Sequence, residues 1–321
     1  MKRLSEKQII DLMTSVLRIS KKRTLWNDDI ATVPLGNRIL AFKCDMFVQS
    51  TDAPKQMRPW QMARKSIVSC LSDFACKGVK PLASLISLGV PKAFTSESIA
   101  SLARGFKIAE REFDVKIIGG DTNESKELVI DCCMVGIADH VTKRSGTKEG
   151  ELIVTSGPFG YSASGLKILL KNARAKPSFK KKASQAALMP KPRLEFGLSL
   201  AKFATSAMDS SDGLAFTLHE MSEHSRKRFV VDALPTASDV KEFARKNRYN
   251  FNELVFYGGE EYEIVATIQK RYLGKVQRLA KQAGCKLFVI GRVERGKGVL
   301  MVENGKKIKI EKRGWEHLSR A

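Results

Sequence analysis

Short apolar runs whose spacing switches repeatedly between a period of two and a period of three to four constrain this chain more than any other feature. Alternation of that kind spells strands followed by helices, the sequence form of an α/β protein. Residues 38–44 (RILAFKC) alternate as a strand, and Pro59 then opens a helical pattern with Met62, Ala63, Ile67, Leu71 and Phe74 on one face, closed near Gly78. Residues 82–90 read as a strand, Ile99, Leu102, Phe106, Ala109 and Phe113 repeat at helical spacing, and residues 115–118 and 128–137 read as two more strands. The turn-rich stretch KRSGTKEGE, residues 143–151, marks a hinge. Beyond it the alternation restarts with a strand at 152–155 and a glycine-rich turn leading into a helix. Helices near 192–204 and 213–224 flank a strand at 206–209, and strands at 263–267 and 287–290 follow. With 321 residues, two mixed α/β domains are expected, 1–145 and 146–321.

Composition removes several function classes. The longest apolar runs fall far short of the roughly 20 residues that span a bilayer, so no membrane helix is expected. The N-terminus, MKRLSEKQIIDLM, lacks the apolar core of a secretory signal and reads as an amphipathic helix with Ser5 and Gln8 as a capping box. A cytoplasmic location is the expectation. The six cysteines form no CxxC pair and the four histidines are scattered, which argues against a zinc or redox motif. A net charge of +22 invites a nucleic-acid partner. The one clear basic run, KNARAKPSFKKK at 171–182, holds a single aromatic residue and reads as a solvated loop, which disfavours nucleic acid.

The chemistry lies in aspartates at the ends of strands and helices: Asp28 and Asp29 in NDDIA, Asp45 in KCDMF, Asp73 in LSDFA, Asp121 in IGGDT, and Asp209 with Asp212 in AMDSSDGL. Carboxylates so placed suit Mg²⁺, a hard ion that takes oxygen ligands and bridges protein to substrate phosphates. Taken singly, Asp73 or Asp212 reads more readily as a helix cap than as a ligand, but seven such positions together weaken that reading. The adjacent Asp28 and Asp29 repel each other unless a cation, hydrogen-bond donors or open water relieves them. Gly119 and Gly120 are expected to turn the backbone sharply after a buried strand, with Asp121 facing the same cleft. Gly157, Gly160 and Gly165 in SGPFGYSASG resemble a phosphate cradle, without the spacing of a P-loop or a dinucleotide fingerprint. YGGEEYEIV, residues 257–265, reads on its own as a hairpin turn with a charged, solvated rim.

In chain order NDDIA, CDMF, LSDFACKG, IGGDT, TKRSG, AMDSSDGL and YGGEEYEIV resemble the thiamine-monophosphate kinase family. That family belongs to the superfamily of aminoimidazole ribonucleotide synthetase and selenophosphate synthetase. The resemblance runs from about Asn27 to Trp315. It implies an α/β (α+β) fold of two mixed domains of the aminoimidazole ribonucleotide synthetase type, the first pairing with its twin in a homodimer and the second closing the cleft. It also implies transfer of the γ-phosphate of ATP onto thiamine monophosphate by direct in-line attack, assisted by several Mg²⁺ ions. Carried over residue by residue, Asp28, Asp29, Asp45, Asp73, Asp121, Asp209 and Asp212 would hold metal. Gly120, Asp121, Arg144 and Ser211 would contact ATP, and Asp52, Glu260 and Trp315 the thiamine substrate. No general base is assigned, because a phosphate nucleophile is already ionised near neutral pH.

Two departures stand out. Asp52 lies where many family members have histidine, and Lys43 and Cys44 precede Asp45 where hydroxyl residues are frequent, so the metal set is expected to be smaller or rearranged. The nearest rival is an aminoimidazole ribonucleotide synthetase-like enzyme of the same superfamily, against which AMDSSDGL and GGEEYE favour the thiamine branch. A basic nucleic-acid-binding protein is the rival from another class, and its phosphate partner would be repelled by the acidic clusters.

Overall fold

The computed structural model describes residues 4–17, 28–316 and 318; Asn27, where the resemblance begins, lies outside them. The first unit runs α1 (Glu6–Leu17), β1 (Ala31–Leu35), β2 (Arg38–Val48), α2 (Gln49–Asp52), α3 (Pro59–Lys77), β3 (Lys80–Val90), α4 (Ser96–Phe113), β4 (Lys116–Glu124) and β5 (Val129–Ala138). Its strands form one mixed sheet in the order β1-β2-β5-β3-β4. The capping box of α1 is present, with the Ser5 amide donating to Gln8 Oε1 at 3.0 Å. Helix α3 begins on Pro59 and ends on Gly78, whose φ of +71° admits the left-handed cap. From Gln61 onward nearly every residue of α3 is buried, because one flank lies on the sheet and the other meets the second unit.

The second unit runs β6 (Leu152–Thr155), α5 (Tyr161–Lys171), α6 (Pro177–Leu188), α7 (Leu194–Leu200), β7 (Ala204–Ser210), α8 (Leu214–Ser225), β8 (Arg228–Val231), α9 (Ser238–Asn247), α10 (Phe251–Phe256), β9 (Glu263–Ile268), α11 (Leu273–Gln282), β10 (Phe288–Glu294), β11 (Gly298–Glu303) and β12 (Lys306–Lys309). Its sheet has the order β12-β11-β8-β10-β6-β9-β7, and α8 packs its apolar side on that sheet through Leu214, Leu218 and Met221. Strand β7 is the edge nearest the first unit, so its Asp209 comes to lie beside α3.

Three expectations change. Gly119 and Gly120 do not turn the chain. They lie inside β4, which continues to Glu124 as an exposed edge strand, and a Cβ on Gly120 would fall 1.7 Å from the Ile86 carbonyl oxygen of β3. Close strand pairing is thus the reason for glycine there. The basic run at 171–182 is not one solvated loop, since α6 starts at Pro177 and buries Phe179, Ala183 and Ala187 beneath its exposed lysines. The YGGEEYE segment is not a solvated rim either: Glu263 is buried, Glu261 is half-buried, and Glu260 and Tyr262 take φ values of +68° and +53°.

Candidate active site

Between the two units, carboxylates from separate elements converge. Asp29 precedes β1, Asp73 rides on α3 and Asp209 ends β7; one oxygen from each lies within 4.8 Å of the others. Ser72, next to Asp73 on α3, donates to Asp209 Oδ2 at 2.7 Å and ties the helix to the strand.

The acids are held apart by cations from within the chain. Lys77 is fully buried, and its ammonium lies 2.5 Å from Asp28 Oδ1 and 2.7 Å from Asp29 Oδ2 while donating to the Ala207 carbonyl at 2.8 Å. Arg144 donates from its backbone amide to Asp28 Oδ2 at 3.1 Å, and its guanidinium pairs with Asp29 and, at 2.9 Å, with Glu220. Burial raises the Asp29 pKa, but Lys77 and Arg144 outweigh it and hold that carboxyl well below its usual range. The repulsion expected between Asp28 and Asp29 is thus relieved by two buried cations.

The other acids are relieved less, with Lys43 shared between Asp73 and Asp45. Burial, then the neighbouring Asp29, pushes Asp209 up to about 6, and burial with the charge of Asp209 pushes Asp212 up to about 7. Burial also drives Asp73 upward against the pull of Lys43, and Asp45 is raised in the same way. Oxygen-only donors that converge and repel one another suit a hard divalent cation, which would stabilise all of them in the ionised form. Asp29, Asp73 and Asp209 therefore fit Mg²⁺. Asp28, which meets Lys77, Arg144 and the Asp29 amide, is not part of that convergence.

The predicted substrate residues gather on the other side of this cluster. Glu260 receives Lys65 in an ion pair, and its amide donates to the Ser211 carbonyl at 2.6 Å. That bond and the one from the Tyr262 amide to the Ser210 carbonyl at 3.0 Å hold the left-handed backbone of this segment against β7. Asp52 turns its carboxylate back to accept from the Val48 amide at 2.6 Å, capping its own short helix, while its carbonyl takes Lys65. Trp315 is 56% exposed, and its amide donates to the Asp212 carbonyl at 3.0 Å, so the C-terminal tail crosses the SSDG turn.

Gly120 and Asp121 are not brought to the acidic cluster. Asp45 pairs with Cys132, Cys132 with Ile86, and Ile86 with Gly120, which puts three strand spacings between them, about 14 Å. They border instead a cleft of about 530 Å³ between α4 and β4, lined also by Phe106, Lys107 and Glu110. The glycine-rich turn before α5 holds a carboxylate of the chain itself: the amides of Gly160 and Ser162 donate to Glu261 Oε1 at 2.7 and 3.1 Å. A helix N-terminus favours an anion there, yet burial still pushes Glu261 up to about 8.

Sequence reading singled out neither Lys77 nor the Arg193–Glu263 pair, in which Arg193 Nε lies 2.8 Å from Glu263 Oε2. For Lys77 a signal existed. It follows Asp73 by one helical turn in LSDFACKG, although its ammonium goes to Asp28 and Asp29 instead. Glu263 follows the glycine pair in GGEEYE, but nothing local links it to an arginine 70 positions away.

Residues 27–138 match the model of the AIR synthase related protein N-terminal domain, and residues 148–303 that of the AIR synthase related protein C-terminal domain. The thiamine-monophosphate kinase of Nitrosopumilus maritimus is 41% identical over 99% of both chains, and that of Pyrococcus horikoshii is 34% identical over 91% of this chain and 90% of its own. A solved structure described as AaThiL complexed with AMPPCP and TMP superposes with a TM-score of 0.87 at 27% identity, covering 99% of each chain. Two matched domain models, a full-length relative and a shared fold agree with the motif order: this chain belongs to the thiamine-monophosphate kinase family of AIR synthase related proteins.

Proposed function

We propose that this protein phosphorylates thiamine monophosphate to thiamine diphosphate with ATP as donor, and that the Asp29–Asp73–Asp209 cluster is where its reaction is centred. The observation that carries this reading is the convergence of three carboxylates from three elements between two domains, in a chain 41% identical over its length to a thiamine-monophosphate kinase. A terminal phosphate oxygen of the monophosphate attacks the γ-phosphorus in line, the bond to the β-phosphate oxygen breaks, and ADP leaves. Asp29, Asp73 and Asp209 would hold Mg²⁺, which would supply charge neutralisation to the phosphates. The chain's own work is positioning. Lys77 and Arg144 fix the Asp28–Asp29 pair, and Ser72 fixes Asp209. Glu260 and the exposed face of Trp315 suit the cationic, aromatic rings of the substrate.

In this reading residues 1–145 form the ATP-binding half and supply Asp29 and Asp73, and residues 146–321 close over it and add Asp209, in a cytoplasmic enzyme. Among the described residues no helix is long and apolar enough to cross a membrane. A homodimer through the first sheet is part of this reading. Leu85 and Cys44 both neighbour Cys133 across the strands, on the side opposite α3, and Met46, Leu85 and Ile118 are 61%, 46% and 68% exposed. An apolar sheet face of that kind fits a self-complementary contact. Gly120 and Asp121, far from the cluster in their own chain, are assigned to ATP beside the α4–β4 cleft.

The test is a turnover assay with ATP, Mg²⁺ and thiamine monophosphate, run beside free thiamine and an aminoimidazole-pathway substrate. Thiamine diphosphate formed only from the monophosphate is the expected result; turnover of the aminoimidazole substrate alone would move the chain to the rival branch.

The raised acids predict a pH dependence of metal binding. Their folded pKa values lie above the unfolded carboxylate value, so without metal the folded state holds extra protons and loses stability as pH rises from about 4 to about 7. A cation prefers the ionised cluster, so its affinity climbs through the same window. Saturating Mg²⁺ should raise the melting temperature by roughly 5–10 °C near pH 8, and by less than about half of that near pH 5.5. Thermal unfolding scans with and without the ion check both the size and the sign.

A further inference from the structure

The two residues before Asp45 do unlike things, although they are neighbours on one strand. Side chains alternate along β2, with Ala41 and Phe47 buried on the face toward α3 and Met46 exposed on the other. Cys44 lies on the exposed face, where its thiol is 3.7 Å from Asp131 Oδ2, and so cannot reach the acidic cluster. Lys43 lies on the inner face. Its ammonium is 2.7 Å from Asp73 Oδ2 and 3.6 Å from Asp45 Oδ2, and its side chain is only 22% exposed.

An ammonium 2.7 Å from one carboxylate and 3.6 Å from the next stands where a cation bridging that pair would stand. It carries one charge instead of two and cannot leave with product. On the Asp29 side of the cluster Lys77 does the equivalent service for Asp28 and Asp29. What lies between the two lysines, the converged oxygens of Asp29, Asp73 and Asp209, is the part that keeps oxygen atoms turned toward one another.

We propose that Lys43 is a built-in cation that takes the place of one divalent metal ion between Asp45 and Asp73, so that this chain seats its protein-bound metal on Asp29, Asp73 and Asp209 and uses Asp45 to hold the lysine. Lys43 is then a positioning residue. It sets how many metal ions accompany the nucleotide and fixes the charge that the phosphates meet on that side. The inference rests on the reading of the cluster as a divalent-cation site, and it does not depend on which acceptor is phosphorylated.

The test counts metal directly. Wild-type protein, Lys43→Ser and Lys43→Met are titrated with Mn²⁺ in the presence of a non-hydrolysable ATP analogue, and free Mn²⁺ is read by electron paramagnetic resonance. Circular dichroism checks the fold of each, and the methionine variant keeps the volume of the stem should the serine variant fail to fold. Both variants are expected to bind one more Mn²⁺ per chain than wild type, because Asp45 and Asp73 are released to bridge it. The same stoichiometry and affinity in all three proteins would overturn the inference while leaving the metal site standing. No Mn²⁺ bound by any of them would overturn the metal reading and this inference together, with the kinase assay still able to stand.

Discussion

Asp209→Asn is expected to lower kcat by roughly 10²–10³-fold, the scale on which loss of one preorganised electrostatic group slows a reaction of this kind, while the protein stays folded. Asparagine keeps the shape of the side chain and can still meet the Ser72 hydroxyl that now donates to Asp209 Oδ2. What it removes is a negative charge at the point where Asp29, Asp73 and Asp209 converge. In the metal-free protein that removal is favourable, since burial and Asp29 already push Asp209 up to about 6. The variant is therefore expected to melt at or above the wild-type temperature without Mg²⁺ and to gain less from added Mg²⁺ than wild type does. Steady-state turnover with saturating ATP and thiamine monophosphate, paired with melting curves at several Mg²⁺ concentrations, separates a lost metal ligand from a damaged fold. Wild-type turnover at high Mg²⁺ would remove Asp209 from the site.

The fold was legible where side-chain periodicity and punctuation agree. Pro59 and Gly78 bracket α3, and the apolar runs of β3 and β5 appear within about two residues of their observed limits. Elements whose stability comes from distant partners were not legible. Strands β8, β11 and β12 are short, and β11 reaches the sheet by pairing parallel with β8 about 70 residues away. Helix α6 hid behind its lysines because only Phe179, Ala183 and Ala187 face inward. The GGD strand misled for a physical reason: glycine signals a turn and also a close backbone approach, and here Gly120 sits against Ile86 of the neighbouring strand.

The site shows the same division. The sequence offered seven acids as one group; Asp29, Asp73 and Asp209 converge, whereas Asp121 lies in β4 beside another cleft. Of the cations that organise them, Lys43 in KCDMF stood out only as a departure from the family pattern, and Lys77 in LSDFACKG was hidden in a motif read for its acid. A lysine one turn after Asp73 signals an acid nearby but not that its ammonium goes to Asp28, Asp29 and the Ala207 carbonyl; that follows only when β7 and the segment before β1 are brought to the same end of α3. The glycine-rich turn before α5 is the converse case. Its amides do hold an anion, but the anion is Glu261 of the chain itself.

Lys77→Met is expected to cost about 3–5 kcal/mol of stability, the range found when one partner of a buried ion pair is removed and the other is left without compensation. The ammonium of Lys77 is wholly buried among Asp28, Asp29 and the Ala207 carbonyl, and these charges raise its pKa against the effect of burial. Methionine fills much of the same volume, so the loss is electrostatic rather than a cavity. Arg144 still faces both aspartates, but it is shared with Glu220. Asp28 and Asp29 must then take up protons or admit water, and the contact of α3 with β7 through the Ala207 carbonyl is lost with them. At about 2–4 °C per kcal/mol for domains of this size, the melting temperature should fall by roughly 6–20 °C. The defect should shrink as pH is lowered toward the carboxylate range, since the orphaned acids are then neutral. Denaturant unfolding of Lys77→Met against wild type at two pH values measures both effects. A double variant, Lys77→Met with Asp28→Asn, should recover part of the loss, because it removes one of the two stranded charges. A single variant as stable as wild type at neutral pH would mean that the Asp28–Asp29 pair is held by Arg144 alone.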